Sequence, residues 1–124
     1  MSIPKKSVIL SICAIFFFIG CGPETIFLRP GLDTPSHHVS NGNKLLDMGK
    51  IEDAFQEFSR AKELDPEYTL AYVGMAMVYG HRGEYQLGRQ YLAIAESLAG
   101  SDEEAAAVHT GLEKMNDMEK KTTN

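Results

Sequence analysis

One pattern of small and apolar residues occurs twice between residues 35 and 100, at a spacing of 34 residues. Where the first copy has a small residue, the second copy also has a small one, and apolar positions of the first copy are apolar in the second. The two copies are Gly42, Leu45, Gly49, Ile51, Ala54, Phe58, Ala61, Leu64 and Pro66, and then Ala76, Tyr79, Gly83, Tyr85, Gly88, Leu92, Ala95, Leu98 and Gly100. A repeat of this length predicts a unit that stacks on its own copy, because one unit cannot bury its apolar face alone.

Each copy contains two runs in which apolar residues recur at spacings of three and four, which predicts a pair of helices. We expect helices over about 35–48, 51–64, 68–82 and 85–98, with Thr34 as the first N-cap and glycines after the first and third helices. The predicted core consists of Leu45, Ala54, Phe58, Ala61, Tyr72, Tyr79, Leu92 and Ala95. Gly88 falls where the pattern has a small residue, whereas nothing in the pattern explains Gly74, although glycine destabilises a helix interior.

The stretch from Ala54 through Phe58 to Pro66 carries an Ala-x-x-x-Phe step and a closing proline, and it resembles a tetratricopeptide (TPR) repeat. The resemblance implies an all-α fold, in which residues 35–100 form two TPR-like antiparallel helix pairs of a short α-solenoid. It also implies that the first helix of each pair lines a groove that holds peptides.

A fifth helix is predicted after residue 100. Ser101 followed by Glu104 forms a capping box. The helix does not match the repeat in register, so we expect residues 101–119 to be a C-terminal capping helix that covers the open end of the array, and residues 120–124 to be a disordered tail. Two repeats are few for a stable array, so a partner or a second copy of the chain could supply further burial, which leaves a homo-oligomer open.

The N-terminus has the features of a secretory signal. Lys5 and Lys6 precede an apolar run of about thirteen residues, which is too short to span a bilayer and typical of a signal peptide. The run ends in Phe18-Ile19-Gly20-Cys21, which resembles the lipobox of bacterial lipoproteins. The resemblance implies that residues 1–20 are a lipoprotein signal peptide. It also implies that the chain is cleaved before Cys21, which then carries palmitate. An ordinary signal peptide or a short anchor with an incidental cysteine is the alternative.

Residues 21–34 are predicted to be the lipidated Cys21 and a tether, since Pro23, Pro30 and Gly31 interrupt regular structure. Residues 26–28 form an apolar patch in this tether. The patch either docks on the repeats or the bilayer surface, or it covers the edge of the core. Gly22 stands where an aspartate would suggest retention in an inner membrane, which favours a periplasm-facing outer-membrane location where the source has one.

Composition excludes several kinds of partner and chemistry. The formal charge is −5, and removal of residues 1–20 would make the chain more acidic, so we expect no nucleic acid as partner. Both cysteines, Cys13 and Cys21, lie in or beside the first apolar run, which leaves no disulfide framework for the domain. The four histidines lack metal-site spacing, and neither Gly-x-Ser-x-Gly nor a phosphate-binding loop occurs. We therefore expect no metal, no cofactor and no enzyme activity.

A protein-binding groove is the site that the sequence favours. Six residues of the first and third helices face away from the core stripe, and they are Val39, Asn43, Leu46, Leu70, Val73 and Met77. We expect the five apolar members to form an exposed strip, because large apolar patches on a monomer usually bind a partner. Covering by residues 26–28, or packing into the core, is the alternative.

These observations predict a lipid-anchored TPR module that mediates protein–protein interaction in the bacterial cell envelope. It is similar to small TPR lipoproteins that assist pilus or secretion assembly. Its partner would be an unknown envelope protein or peptide segment, and its contact with the membrane would be the lipid anchor. A passive structural lipoprotein and a small envelope hydrolase are the alternatives.

Overall fold

A computed structural model describes residue 31 and residues 33–124. The predicted signal peptide, Cys21 and the apolar patch at residues 26–28 lie outside the described residues. The described chain forms five α-helices, which are α1 (Pro35–Asp47), α2 (Ile51–Leu64), α3 (Thr69–His81), α4 (Tyr85–Leu98) and α5 (Asp102–Thr123). Among these helices, none combines the length and the apolar character that crossing a membrane requires.

The ends of the first four helices follow from local chemistry. Thr34 Oγ1 accepts a hydrogen bond from the His37 N–H at 3.3 Å, and Pro35 occupies the first turn. Gly49 and Gly83 follow α1 and α3 with φ of +73° and +77°, a conformation that only glycine adopts at little cost. The predicted helices are confirmed to within one residue at each end.

The helices form two antiparallel pairs and a C-terminal helix, as predicted. α1 pairs with α2, and α3 pairs with α4. α3 also packs on α1 and α2, and α5 packs on α3 and α4, so that each unit stacks on the preceding one. The fold is therefore all-α and has the layout of a short helical solenoid.

The core is centred on large side chains of α2 and α4. Phe58 and Leu92 are fully buried, as are Ala54, Ala61 and Ala95, which confirms these five core predictions. Leu45, Tyr72 and Tyr79 are only half-buried. Leu45 and Tyr79 pack at the margin of the core, and the Tyr72 hydroxyl donates a hydrogen bond to the Pro66 carbonyl at 2.6 Å.

Close helix contacts explain two buried glycines. A Cβ on Gly42 of α1 would lie 2.6 Å from Phe58 Cε1, and a Cβ on Gly74 of α3 would overlap the same ring. The ring of Phe58 thus fills the space that side chains on both helices would need. The interpretation that Gly74 has no packing reason is wrong, because its lack of a side chain admits the largest residue of the core.

α5 continues the stack in a shifted register. Its buried residues are Val108, Gly111 and Met115, and their spacing matches that of Ala71, Gly74 and Val78 on α3. The two sets are 37 residues apart rather than 34, a shift of about one helical turn. α5 therefore packs as the first helix of a further pair would, although the repeat pattern does not extend to it.

The ends of α5 agree with the sequence in one place and differ in the other. Ser101 Oγ accepts from the Glu104 N–H at 3.2 Å, and Glu104 Oε2 accepts from the Gly100 N–H at 2.9 Å. This confirms the predicted cap. The helix continues to Thr123, where a disordered tail from residue 120 was expected. Thr122 Oγ1 lies 2.6 Å from Tyr85 Oη, so packing against α4 extends the helix.

The two repeats differ at the surface that would face a preceding repeat. In the second repeat, Tyr72 and Tyr91 are in contact, with ring centroids 6.2 Å apart, and Lys62 of the first repeat lies over them. The corresponding residues of the first repeat are His38 and Glu57, which are hydrogen-bonded to each other at 2.7 Å. A polar network thus closes the first end of the stack, as a terminal repeat requires.

Candidate functional site: a groove between α1, α3 and α5

The candidate site is a groove in which α1, α3 and α5 supply the floor and the two walls. It consists of two adjoining cavities of about 260 Å³ and 570 Å³. Asn43 of α1, Met77 of α3 and Lys114 of α5 line both cavities, which makes the groove continuous. Pockets of this size and open shape suit side chains of a bound segment.

The smaller cavity is predominantly apolar. Its floor is formed by Leu70, Val73 and Met77 of α3, with Val39 at the α1 side. Gly111 of α5 lies directly opposite, since a Cβ there would be 3.6 Å from Val73 Cγ1 and 3.7 Å from Met77 Cε. Burying apolar side chains of a partner here would contribute about 25 cal/mol per Å² of surface removed from water.

The larger cavity adds charged side chains to an apolar floor. Leu46, Met77 and Met118 supply the apolar part, and Asp47, His81, Asp117, Lys114 and Lys121 supply the polar part. Within residues 33–124, none of these two lysines and two aspartates makes an ion pair with another side chain. The charges of the groove are therefore available to a partner, and neither sign dominates.

All six residues predicted for the groove line these cavities. Val39, Asn43, Leu70, Val73 and Met77 border the smaller cavity, and Leu46 borders the larger one. Asn43 is exposed. The expectation that the five apolar residues form an exposed strip is wrong, however. Val39 is buried at 7% exposure in the core that α1, α2 and α3 share, and Leu46 and Leu70 pack against the same core. Val73 and Met77 are half-buried against the second core cluster, to which α5 contributes Met115.

Sequence reasoning missed the wall that α5 contributes. Its lining residues are Ala107, Thr110, Gly111, Lys114, Asp117, Met118 and Lys121. The signal was present, because residues 107, 110, 114, 117 and 121 recur at alternating spacings of three and four, which marks one face of a helix. The prediction of a capping helix concerned the buried face of α5 and not this one.

A second polar cluster lies outside the groove, where α1 begins. His38 contacts Glu57 of α2 and Asp33, and Asp33 is also bound by Arg60 Nη2 at 2.8 Å. Hydrogen bonds from Arg60 and His38 lower the pKa of Asp33 to about 2. Neither cavity of the groove reaches this cluster, and no serine, threonine or cysteine hydroxyl or thiol is bonded to His38 among the described residues. The cluster is an ion network rather than a nucleophile with its base.

Metal binding has no candidate in the described part of the chain, where no group of three or more His, Cys, Asp or Glu side chains is arranged to hold a metal ion. Comparison with protein-family models finds no match, and no solved structure matches the chain. The groove is thus assigned from its own residues and geometry.

Proposed function

We propose that this protein is a lipid-anchored, TPR-type module of the bacterial envelope that holds an apolar segment of another protein in the groove between α1, α3 and α5. The observation that carries the proposal is the groove itself. Six residues selected from the sequence line it, and α5 adds three charges, Lys114, Asp117 and Lys121, that have no ion-pair partner among the described side chains. An apolar floor with charges at its edge is the composition of a peptide-binding surface.

The membrane part of the proposal rests on the N-terminal sequence. The basic start, the short apolar run and Gly20-Cys21 favour cleavage before Cys21 and its acylation. Each buried methylene of an acyl chain contributes about 0.8 kcal/mol, so that two or three chains hold a protein firmly on a bilayer. The domain would then work near an envelope membrane, with a role in pilus or secretion assembly as the favoured setting.

Groove binding is tested by site-specific photo-crosslinking in cells. A photoreactive amino acid replaces Asn43, which is exposed in both cavities, or Gln90, which is exposed on α4 outside them. We expect a defined partner to be captured from position 43 and not from position 90. Lys114→Glu should abolish that capture, whereas the matched change Lys120→Glu, at an exposed position outside the groove, should preserve it. Equal capture from both positions, or capture that is indifferent to Lys114→Glu, would favour a passive structural lipoprotein.

Lipidation is tested separately by metabolic labelling with palmitate. Wild type and Cys13→Ser should incorporate label, because residue 13 belongs to the segment that is removed, and Cys21→Ser should not. Label that persists in Cys21→Ser would contradict the anchor. It would leave the groove proposal intact.

A further inference from the structure

The imidazole ring of His38 lies between two carboxylates that belong to different parts of the chain. Its Nδ1 is 2.7 Å from Glu57 Oε2 on α2, and its Nε2 is 2.9 Å from Asp33 Oδ1, two residues before α1. An ionised carboxylate oxygen only accepts hydrogen bonds, so both ring nitrogens must carry a proton. The geometry therefore assigns the imidazolium cation to His38 in the folded protein.

The surroundings of His38 contain few other charges. Arg60 of α2 binds Asp33 through Nη2 and Nε, at 2.8 and 3.3 Å, and it also contacts Glu63 at 3.3 Å. On α1 itself, the neutral Asn41 donates to Glu57 at 3.5 Å, and the His37 ring lies edge-on at 6.0 Å. α3, which also packs on α1, carries no carboxylate, lysine or arginine, and its titratable residues are Tyr72, Tyr79 and His81.

Two opposing effects act on the proton of His38. Burial of the ring, which is 17% exposed, lowers the pKa, and the hydrogen bonds to Asp33 and Glu57 raise it. The net result is a pKa above the ordinary 6.5. Because the folded state holds the proton more tightly than the unfolded state, the stabilisation is fully present below pH 6.5 and is lost as pH rises through the folded value.

We propose that His38 is a proton-operated latch that fastens Asp33, two residues before α1, to Glu57 of α2. Loss of one proton to solvent leaves a neutral ring with a single N–H. One ring nitrogen then presents its lone pair to a carboxylate, the hydrogen bond on that side is lost, and the two anions repel each other. Arg60 then provides the remaining side-chain link between Asp33 and α2. Asp33 is consequently held close to α2 at low pH and more loosely at high pH.

Protonation is tested by nuclear magnetic resonance of the histidine rings in the full-length chain in detergent micelles. We expect both His38 nitrogens to be protonated at pH 6, with a titration midpoint above the ordinary 6.5. Glu57→Gln should lower the His38 midpoint, and the matched change Gln56→Glu on the exposed face of α2 should not lower it. A His38 midpoint at or below 6.5 would overturn the proposal.

The mechanical part is tested through the backbone amides of Asp33 and Thr34. Arg60→Gln removes the ion pair between Arg60 and Asp33, so that His38 alone links Asp33 to α2. Both amide resonances should then shift with pH at the His38 midpoint. Adding His38→Gln should abolish that transition, and adding His109→Gln should leave it. Amides that stay unchanged across the His38 titration in Arg60→Gln would refute the latch. Far-UV circular dichroism of each variant, with wild-type helix content as the criterion, identifies any variant that fails to fold. The Glu57→Gln midpoint tests the protonation independently.

Discussion

The ring of Phe58 lies against the backbone of Gly74 so closely that α3 has no room for a side chain there. Phe58 belongs to the first helix pair and Gly74 to the second, so the contact joins the two repeats. It couples the size of the side chain at residue 58 to the absence of a side chain at residue 74. A change at either position is therefore felt across the interface between the repeats.

Gly74→Ala should destabilise the protein even though alanine favours helices. The gain in helix propensity is about 1 kcal/mol, whereas overpacking a site that cannot relax costs up to about 3 kcal/mol. Phe58 has little room to move aside, because Gly42 of α1 packs against the same ring atoms, Cδ1, Cε1 and Cζ. Urea unfolding measures the difference, and Gly100→Ala, at an exposed glycine, is the control. Adding Phe58→Leu to Gly74→Ala should recover part of the loss, and a more stable Gly74→Ala protein would contradict this packing.

Phe58→Ala and Leu92→Ala should each lower the free energy of unfolding by about 2–5 kcal/mol, because both side chains are fully buried and leave a cavity. A domain of this size has little stability to spare, so either variant could lose its cooperative transition. Ile94→Ala is the matched control on α4, since Ile94 is 42% exposed, and its effect should stay within about 0.5 kcal/mol. Similar losses for Leu92 and Ile94 would show that α4 is turned differently.

Combined Val73→Ser and Met77→Ser should destabilise the domain by roughly 2 kcal/mol or more, because both side chains pack against α5 at Gly111. Thermal unfolding measures this loss, and Met48→Ser, at a residue 63% exposed, provides the control. An unchanged melting temperature would show that Val73 and Met77 do not pack against α5. This double variant cannot separate binding from folding, which is why Lys114 is the better probe of the groove.

Asp33→Asn should lower the melting temperature at pH 5 and have little effect below pH 2. The pKa of Asp33 is lowered from 3.8 to about 2 by hydrogen bonds from Arg60 and His38. The carboxylate therefore stabilises the fold fully above pH 3.8, and the contribution is lost as pH falls through about 2. Melting curves of wild type and Asp33→Asn at several pH values test this. A constant difference between wild type and Asp33→Asn would exclude the ion pair.

Removal of residues 115–124 should abolish cooperative unfolding, whereas removal of residues 120–124 should cost only about 1 kcal/mol. The longer deletion takes away Met115, which is fully buried and lies against Gly80 and Gly88. The shorter one removes chiefly the contact of Thr122 with Tyr85. Denaturant unfolding of the two truncated chains compares them. Equal losses would mean that the last turn of α5 is part of the core.

The helix ends and the central core could be predicted because they depend on local chemistry. Thr34, Gly49 and Gly83 end or begin helices through their own backbone preferences, and Phe58 and Leu92 occupy the same place in two copies of one pattern. Such features require no knowledge of neighbouring units. The predicted bounds of the first four helices therefore agree with the structure to within one residue.

Contacts between units could not be predicted in the same way. The need for glycine at residue 74 depends on where Phe58 points in the adjacent repeat, and the 34-residue spacing pairs Gly74 with Ser40 rather than with another small residue. The wall containing Lys114 depends on α5 being shifted by one turn, and the burial of Val39 depends on how α1 packs against α2 and α3. The geometry of a short connection sets that shift, and a residue pattern does not record it.

The polar network at the start of α1 bears on assembly. A stack of helix pairs with an unfinished end can add further copies head to tail, and such growth gives fibres instead of closed oligomers. Here the first end carries Asp33, His38, Glu57, Arg60 and Glu63, which already satisfy one another. A second copy stacked on this end would have to desolvate them, at a cost that apolar contacts would not recover. Growth from this end is thereby disfavoured, so copies of the chain would not extend head to tail into fibres.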